Sequence, residues 1–199
     1  MRKYIFLFFI ILSNYLMAQD AIIPWGISQP EYRSKFGDQY NTSYKGLDLL
    51  ICNDSMQCDL GSYKTLEINA FARLRFVKRM VMLWEQYGNV KDSTALNKYY
   101  IALADISYCL NRVYGKTHME KIWLNTSYKN KTDQESYSKA MILGYVKYYQ
   151  EWINKDTKVT LSMGCPNGDG EIIFVIQYYS TSYKDFYTQA ITPPDDWGI

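Results

Sequence analysis

The chain has 199 residues, with 22 Lys or Arg against 20 Asp or Glu, one His, and a formal charge of +2. The charges are interspersed with no basic block, so nucleic-acid binding has no electrostatic footprint. His118 is the sole imidazole, and no serine sits in a G-x-S-x-G elbow, which argues against the common histidine-dependent hydrolases.

Residues 1–18 read as a signal peptide. Arg2 and Lys3 supply the charged start, Ile5 to Leu12 the apolar stretch, and Leu16-Met17-Ala18 a small-residue cleavage site. The apolar run is far short of the roughly 20 residues that span a bilayer, and Ser13-Asn14 interrupts it, so no transmembrane segment is expected. No cysteine lies near the cleavage point to carry a lipid anchor. The expected product, residues 19–199, is periplasmic or secreted, with 20 basic and 20 acidic residues once Arg2 and Lys3 are removed. It is long enough for a single domain with its own core.

Trp25-Gly26-Ile27-Ser28 leads into a short helix ending at Phe36-Gly37. Ser28 and Glu31 have capping-box spacing, and Pro30 is compatible with a first turn. Asp38 to Lys45 reads as a polar loop and Leu47 to Cys52 as a short strand. Leu66, Ile68, Ala70, Ala72, Leu74 and Phe76 alternate with polar residues, the pattern of a half-buried strand. Lys78-Arg79 is placed at a turn, and Met80 to Tyr87 returns as a second strand.

The clearest element is a helix from Ser93 to Gly115. Leu96, Tyr100, Leu103, Ile106, Ser107, Leu110, Val113 and Tyr114 form its apolar arc. Asp92 or Ser93 caps its start, and Gly115 closes it in a left-handed conformation. Glu120 to Asn125 is a short strand, Thr126 to Asp133 a loop, and Thr132 with Glu135 opens a helix reaching about Leu143. Tyr145 to Ile153 fits a helical stripe but is rich in aromatic and β-branched residues, and is read as a strand. Lys158 to Met163 alternates, with Val159, Leu161 and Met163 inward. Ile172 to Tyr178 is apolar on both faces, as in a central strand. A short helix near Asp185 to Ala190 precedes an irregular tail. The class is α+β, an antiparallel sheet with helices on one face, and its two helix-then-strands halves echo each other as weakly related α-β-β-β units.

Cys52, Cys58, Cys109 and Cys165 are an even set, which in an exported chain favours disulfides, with three pairings open. A Cys52–Cys58 staple across a turn leaves Cys109 to join Cys165. Their spacing matches no zinc pattern, so no metal is expected. Asn167-Gly168-Asp169-Gly170-Glu171-Ile172 resembles the middle of an EF-hand loop. Its register, however, puts Cys165 and Ile176 at ligand positions unsuited to calcium, and a hairpin turn explains it better. The acidic pairs Asp54/Asp59, Asp169/Glu171 and Asp195/Asp196 lie in no diagnostic motif. No catalytic residue and no cofactor is assigned.

Trp25-Gly26-Ile27-Ser28, the Leu110 to Gly115 helix end, and Trp152 followed by Lys158 to Leu161 and Ile176 to Ser180 occur in an order that resembles uncharacterised exported α+β proteins of the Bacteroidota. The Ala18-Gln19 site is similar to signals of that phylum. More faintly, the outline resembles BamE-type outer-membrane assembly lipoproteins, without their lipobox cysteine, and the β-lactamase inhibitor protein. The resemblance implies fold and compartment and carries no catalytic residues.

Tyrosine is abundant, with 20 Tyr beside 5 Trp. Tyr148, Tyr149, Trp152, Tyr178 and Tyr179 are candidates for an aromatic platform on adjacent strands, able to meet sugar rings or a partner's side chains. The expected function is that of an exported, non-catalytic binding protein of the cell envelope, its partner another envelope protein or a glycan. A small carboxylate-dependent hydrolase and a proteinaceous enzyme inhibitor are the alternatives. The working surface is expected on the sheet face away from the main helix.

Overall fold

The computed structural model describes residues 24–36, 40–44, 47–58, 61–73, 75–85, 90–130 and 133–183. The expected signal peptide and the expected helix near Asp185 lie outside them. The described elements are helix α1 (Gln29–Phe36), strands β1 (Tyr40–Tyr44), β2 (Leu47–Cys58), β3 (Gly61–Ala72) and β4 (Arg75–Glu85), and helix α2 (Ser93–Tyr114). There follow β5 (Glu120–Trp123), helix α3 (Gln134–Ile142), β6 (Val146–Ile153), β7 (Thr157–Gly164) and β8 (Ile173–Ser180). One-turn 3₁₀ helices occupy Thr126–Tyr128 and Thr181–Tyr183. The chain is α+β.

All eight strands form one antiparallel sheet in the order β1-β2-β3-β4-β8-β7-β6-β5. Two four-stranded meanders thus meet along their last strands, β4 and β8, from Lys78↔Tyr179 to Trp84↔Ile173. Each half is a helix and four strands rather than three, and α3 is inserted within the second.

Both major helices pack on the same face. From α2, Leu96, Tyr99, Leu103, Ile106 and Leu110 meet Val81 and Leu83 of β4, Phe174 and Ile176 of β8, and Leu161 and Met163 of β7. From α1, Tyr32 packs with Ile27, Leu50, Phe71 and Phe76. Local chemistry sets the helix ends. The Ser28 hydroxyl accepts the Glu31 N–H (3.4 Å), and Asp92 and Asp133 accept the N–H groups of Ala95 (2.8 Å) and Ser136 (2.7 Å). Gly115 ends α2 at φ +92°, ψ 163°, a conformation open to glycine, and its N–H bonds the Asn111 carbonyl.

Trp25 clasps the halves together. Its ring stacks on Phe76 of β4 with centroids 5.0 Å apart, and its Nε1 donates to Thr157 Oγ1 of β7 at 2.8 Å. A buried polar network pins α2 to β6. Ser107 Oγ donates to Gln150 Oε1 (2.6 Å), and Asn111 Oδ1 accepts Trp152 Nε1 (3.0 Å) and the Thr117 N–H (3.2 Å). Gln150 Nε2 in turn reaches the Thr117 carbonyl at 3.1 Å. With every principal group paired, the network fixes the rotation of the helix as well as its position.

Four sequence expectations are corrected. Residues 40–44 are an edge strand, not a loop. Their polar composition suits an edge with exposed Asn41 and Ser43. The turn between β3 and β4 lies at Arg73, at φ +47°, and Lys78-Arg79 is mid-strand; adjacent charges there point to opposite faces. In α2 the buried arc runs through Tyr99 and Ala102, while Tyr100 is only partly buried and Val113 is exposed. The helix is rotated so that Tyr99 faces Phe174 and Tyr100 meets Tyr148 edge-on, with centroids 5.5 Å apart.

The disulfide expectation is the fourth. β2 is continuous through Cys52 and Cys58, and six residues of strand separate Cα atoms by about 20 Å. A disulfide requires less than about 7 Å. Cys109 and Cys165 are free thiols. Val90, just before α2, bonds Gly170 of the Cys165 turn. Cys109 lies sixteen residues beyond Ser93, about 24 Å along the helix and away from that turn.

Candidate functional site: the helix-free face of the sheet

Strand alternation divides every strand between two environments. The face opposite α1 and α2 carries Leu66, Ile68 and Ala70 of β3, beside Met82, Met80 and Lys78 of β4. Next come Val175, Gln177 and Tyr179 of β8, then Ser162, Thr160 and Lys158 of β7. Tyr149 and Glu151 of β6 complete the row. None of the three described α-helices lies on this side; the 3₁₀ turn Thr181–Tyr183 brings Tyr183 against Leu47, Ala70, Ala72 and Val77 at one end of it.

The face has two characters. Its β2–β4 side is apolar. Ile68, Met80 and Val175 form a cluster with Leu49, Ile51, Leu66, Met82 and Ile173 against it. Its β6–β8 side is polar and ordered by ion pairing. Lys158 Nζ is 2.8 Å from Glu151 Oε2, which also accepts the Tyr149 hydroxyl. The Tyr179 hydroxyl donates to Gln177 Oε1. Partial burial alone would raise the Glu151 carboxyl, but the bonds from Lys158 and Tyr149 outweigh it and hold the group below its ordinary value. Burial, together with the bond to Glu151, pushes Tyr149 up.

A trough of about 310 Å³ opens where the two sides meet near the β7–β8 turn. Leu66, Met82, Ile173 and Val175 form its apolar floor, and Lys147, Ser162 and Asn167 place polar groups among its walls. The volume lies at the small end of ligand pockets, and few polar groups on a mostly apolar surface fit such a site. At the opposite end of the face, Lys78 is 6% exposed with its Nζ 4.7 Å from the Tyr179 ring centroid. Burial lowers its ammonium from 10.5 to about 8.

The five platform candidates are divided by the sheet. Tyr149 and Tyr179 stand on the helix-free face. Tyr148, Trp152 and Tyr178 stand on the helix face, the last two 1% exposed beneath α2. Period-two alternation forbids neighbours such as Tyr148 and Tyr149 from sharing a face.

The residue that sequence reasoning missed is Arg79. It is buried on the helix face, with Nη2 3.1 Å from Glu67 Oε2 and the guanidinium 5.8 Å from the Tyr178 ring centroid. Asn69 Nδ2 donates to Glu67 Oε1 at 2.8 Å. Asn69 and Arg79 are cross-strand partners in the β3–β4 hairpin and Glu67 is the diagonal neighbour two residues before Asn69, a signal legible only once the turn is placed correctly.

The remaining acidic groups of interest do structural work. Asp169 accepts the Glu171 N–H (2.9 Å), and Cys165 Sγ accepts that of Gly170 (3.1 Å), so the 165–171 segment satisfies itself as a hairpin turn. His118 is exposed after α2. Among the described residues, no three His, Cys, Asp or Glu converge as a metal site. No described helix is long and apolar enough to cross a membrane. Comparison with protein-family models gives no match, and comparison with curated proteins gives none either.

Proposed function

We propose that the protein is an exported, non-catalytic binding module of the bacterial cell envelope whose working surface is the helix-free face of its sheet. The observation that carries this reading is the trough floored by Leu66, Met82, Ile173 and Val175 with Lys147 beside it. Apolar side chains with one cation suit a protein segment presenting aliphatic residues and an acidic group. A glycan platform draws less support, because Trp152 and Tyr178 are buried and only two of the five candidate rings share this face. Glu67 and Glu151 are ion-paired, and Asp92 and Asp133 cap helices, so these carboxylates have structural assignments.

Two experiments bear on it. N-terminal sequencing of the exported product is expected to begin at Gln19; an intact residue 1 on protein recovered outside the cytoplasm would contradict the signal-peptide reading. A photoreactive residue at Ile173 is expected to give one discrete adduct in intact envelopes, lost when Met82→Arg fills the trough. The same probe at Tyr108, which is 62% exposed on α2, should give none. Equal labelling from both positions would defeat the assignment of the face.

A further inference from the structure

A second concentration of aromatic side chains lies on the other face of the sheet, at its β5 edge. Strand β5 is the last of the sheet. Alternation puts its Lys121 on the helix face, directly opposite Tyr148 of β6, with Trp123 two residues on. Helix α3 brings Tyr137 to the same corner, and α2 brings Tyr100. The Lys121 Nζ lies 4.5 Å from the Tyr137 ring centroid and 5.6 Å from that of Tyr148, both inside the roughly 6 Å reach of a cation–π contact. Each of these rings is backed by another. Trp123 sits 5.7 Å from Tyr137, and Tyr100 meets Tyr148 edge-on. Trp123, Tyr100 and Tyr148 pack against the main core, which holds the rings in place. All four rings are nonetheless only partly buried, and Lys121 is exposed. No described carboxylate pairs with Lys121.

We propose that these four rings form a cage for a quaternary ammonium group, and that Lys121 is an internal stand-in which an external ligand displaces. The electron-rich ring faces attract a cation but supply no acceptor for its N–H groups. A primary ammonium suits such a seat poorly, because it is strongly hydrated and gives up water on the side that meets the rings. A trimethylammonium group has no N–H to satisfy and presents methyl groups to the ring faces. Lys121 yields readily, since it is exposed and has no ion pair to break. It swings outward past β5, beyond which no described strand follows. The ligand class is a trimethylammonium compound, either a free solute such as choline or the headgroup of a choline lipid. The cage and the trough lie on opposite faces of the sheet, so this is a second site and not an extension of the first.

The test is titration of the full chain with choline chloride by isothermal calorimetry at fixed ionic strength. Saturable binding is expected. Its affinity should rise about two- to fivefold in Lys121→Ala, which empties the cage, and fall about tenfold or more in Tyr137→Leu, which removes one wall. Lys139→Ala removes an exposed charge from α3 and should leave affinity within about twofold, which separates the gain at Lys121 from a change of net charge. The neutral isostere of choline, with carbon in place of nitrogen, should bind the unaltered chain at least about tenfold more weakly. This arm needs no variant to fold. Absence of saturable choline binding, equal affinity for the isostere, or a loss of affinity in Lys121→Ala would each overturn the proposal. Co-sedimentation with phosphatidylcholine vesicles, against phosphatidylglycerol vesicles, separates the two sources. Retention on the first alone assigns a lipid headgroup; choline binding without retention assigns a free solute. A failed choline titration leaves the binding role of the trough standing, and a missing adduct at Ile173 leaves the cage in place.

Discussion

The buried ammonium of Lys78 offers the most direct test of the forces in this fold. Folding lowers it from 10.5 to about 8. At about 1.4 kcal/mol per pH unit, holding the charge in the folded state costs about 3 kcal/mol. Substituting Lys78→Met keeps an unbranched stem of similar volume and removes the charge. The variant also loses the cation–π contact to Tyr179, about 1 kcal/mol, so a net gain of about 2 kcal/mol is expected at pH 7. The sign with pH follows from proton counting. The folded protein releases the Lys78 proton near pH 8, whereas the unfolded chain holds it to about 10.5. Between those values the unfolded state binds more protons, so wild-type stability rises with pH, and below pH 8 the full penalty applies. The variant lacks that rise, so its advantage should shrink by about 2 kcal/mol between pH 7 and pH 9.5. Tyr100 and Tyr149, both pushed up chiefly by burial, oppose this near pH 10 but cancel in the difference between the two proteins. Urea unfolding followed by tryptophan fluorescence at both pH values measures it. No gain at pH 7, or a gap constant with pH, would refute the premise that Lys78 is buried and charged.

Removing the hub of the α2–β6 network by Asn111→Ala leaves Trp152 Nε1 without its acceptor. It is expected to lower stability by about 2–4 kcal/mol and to blue- or red-shift the Trp152 emission, both read in one melt; a loss under about 1 kcal/mol would mean that the network is not satisfied in solution. Gly115 and Gly170 both have positive φ, but a Cβ at Gly115 meets no atom while one at Gly170 overlaps the Val90 carbonyl oxygen. Gly115→Ala should therefore cost about 1–3 kcal/mol from the backbone alone, and Gly170→Ala about 2 kcal/mol more in denaturant titrations. For the thiols, alkylation of denatured, unreduced protein should label both Cys109 and Cys165. In native protein Cys165 should react far more slowly, because it is buried and burial pushes its thiol up. Loss of labelling that reduction restores would reinstate a disulfide.

The parts of the fold that could be read from the residues are those where one local rule suffices. Asp92 caps a helix that has an apolar arc, and Val159, Leu161 and Met163 alternate cleanly beneath it. Tyr145 to Ile153, compatible with either structure by its stripe, is a strand from Val146, as its aromatic and β-branched content favours. Misreadings arose where tertiary pairing overrides local appearance. Lys78-Arg79 looks like a polar turn, but each residue faces a different buried layer. The true turn at Arg73 carries no glycine or asparagine to mark its positive φ. Tyr40–Tyr44 lacks apolar alternation because it has only one strand neighbour. That one face of the sheet is left without an α-helix was legible from the single apolar arc of α2 and the alternating strands. Its trough was not, because Leu66, Met82, Lys147 and Ile173 come together only when the two meanders join.

That joint has a consequence for how the molecule is made. β4 is synthesised roughly ninety residues before β8, its only partner on that side. Until β8 arrives, the first meander presents a long open row of backbone amides and carbonyls, flanked by Met80, Val81 and Met82. Such distant pairing makes closure of the sheet a late, slow event. The emerging chain therefore passes through a state with a sticky, unfinished edge. Its yield in a cell should depend on what shields β4 during that interval more than on the stability of the finished domain.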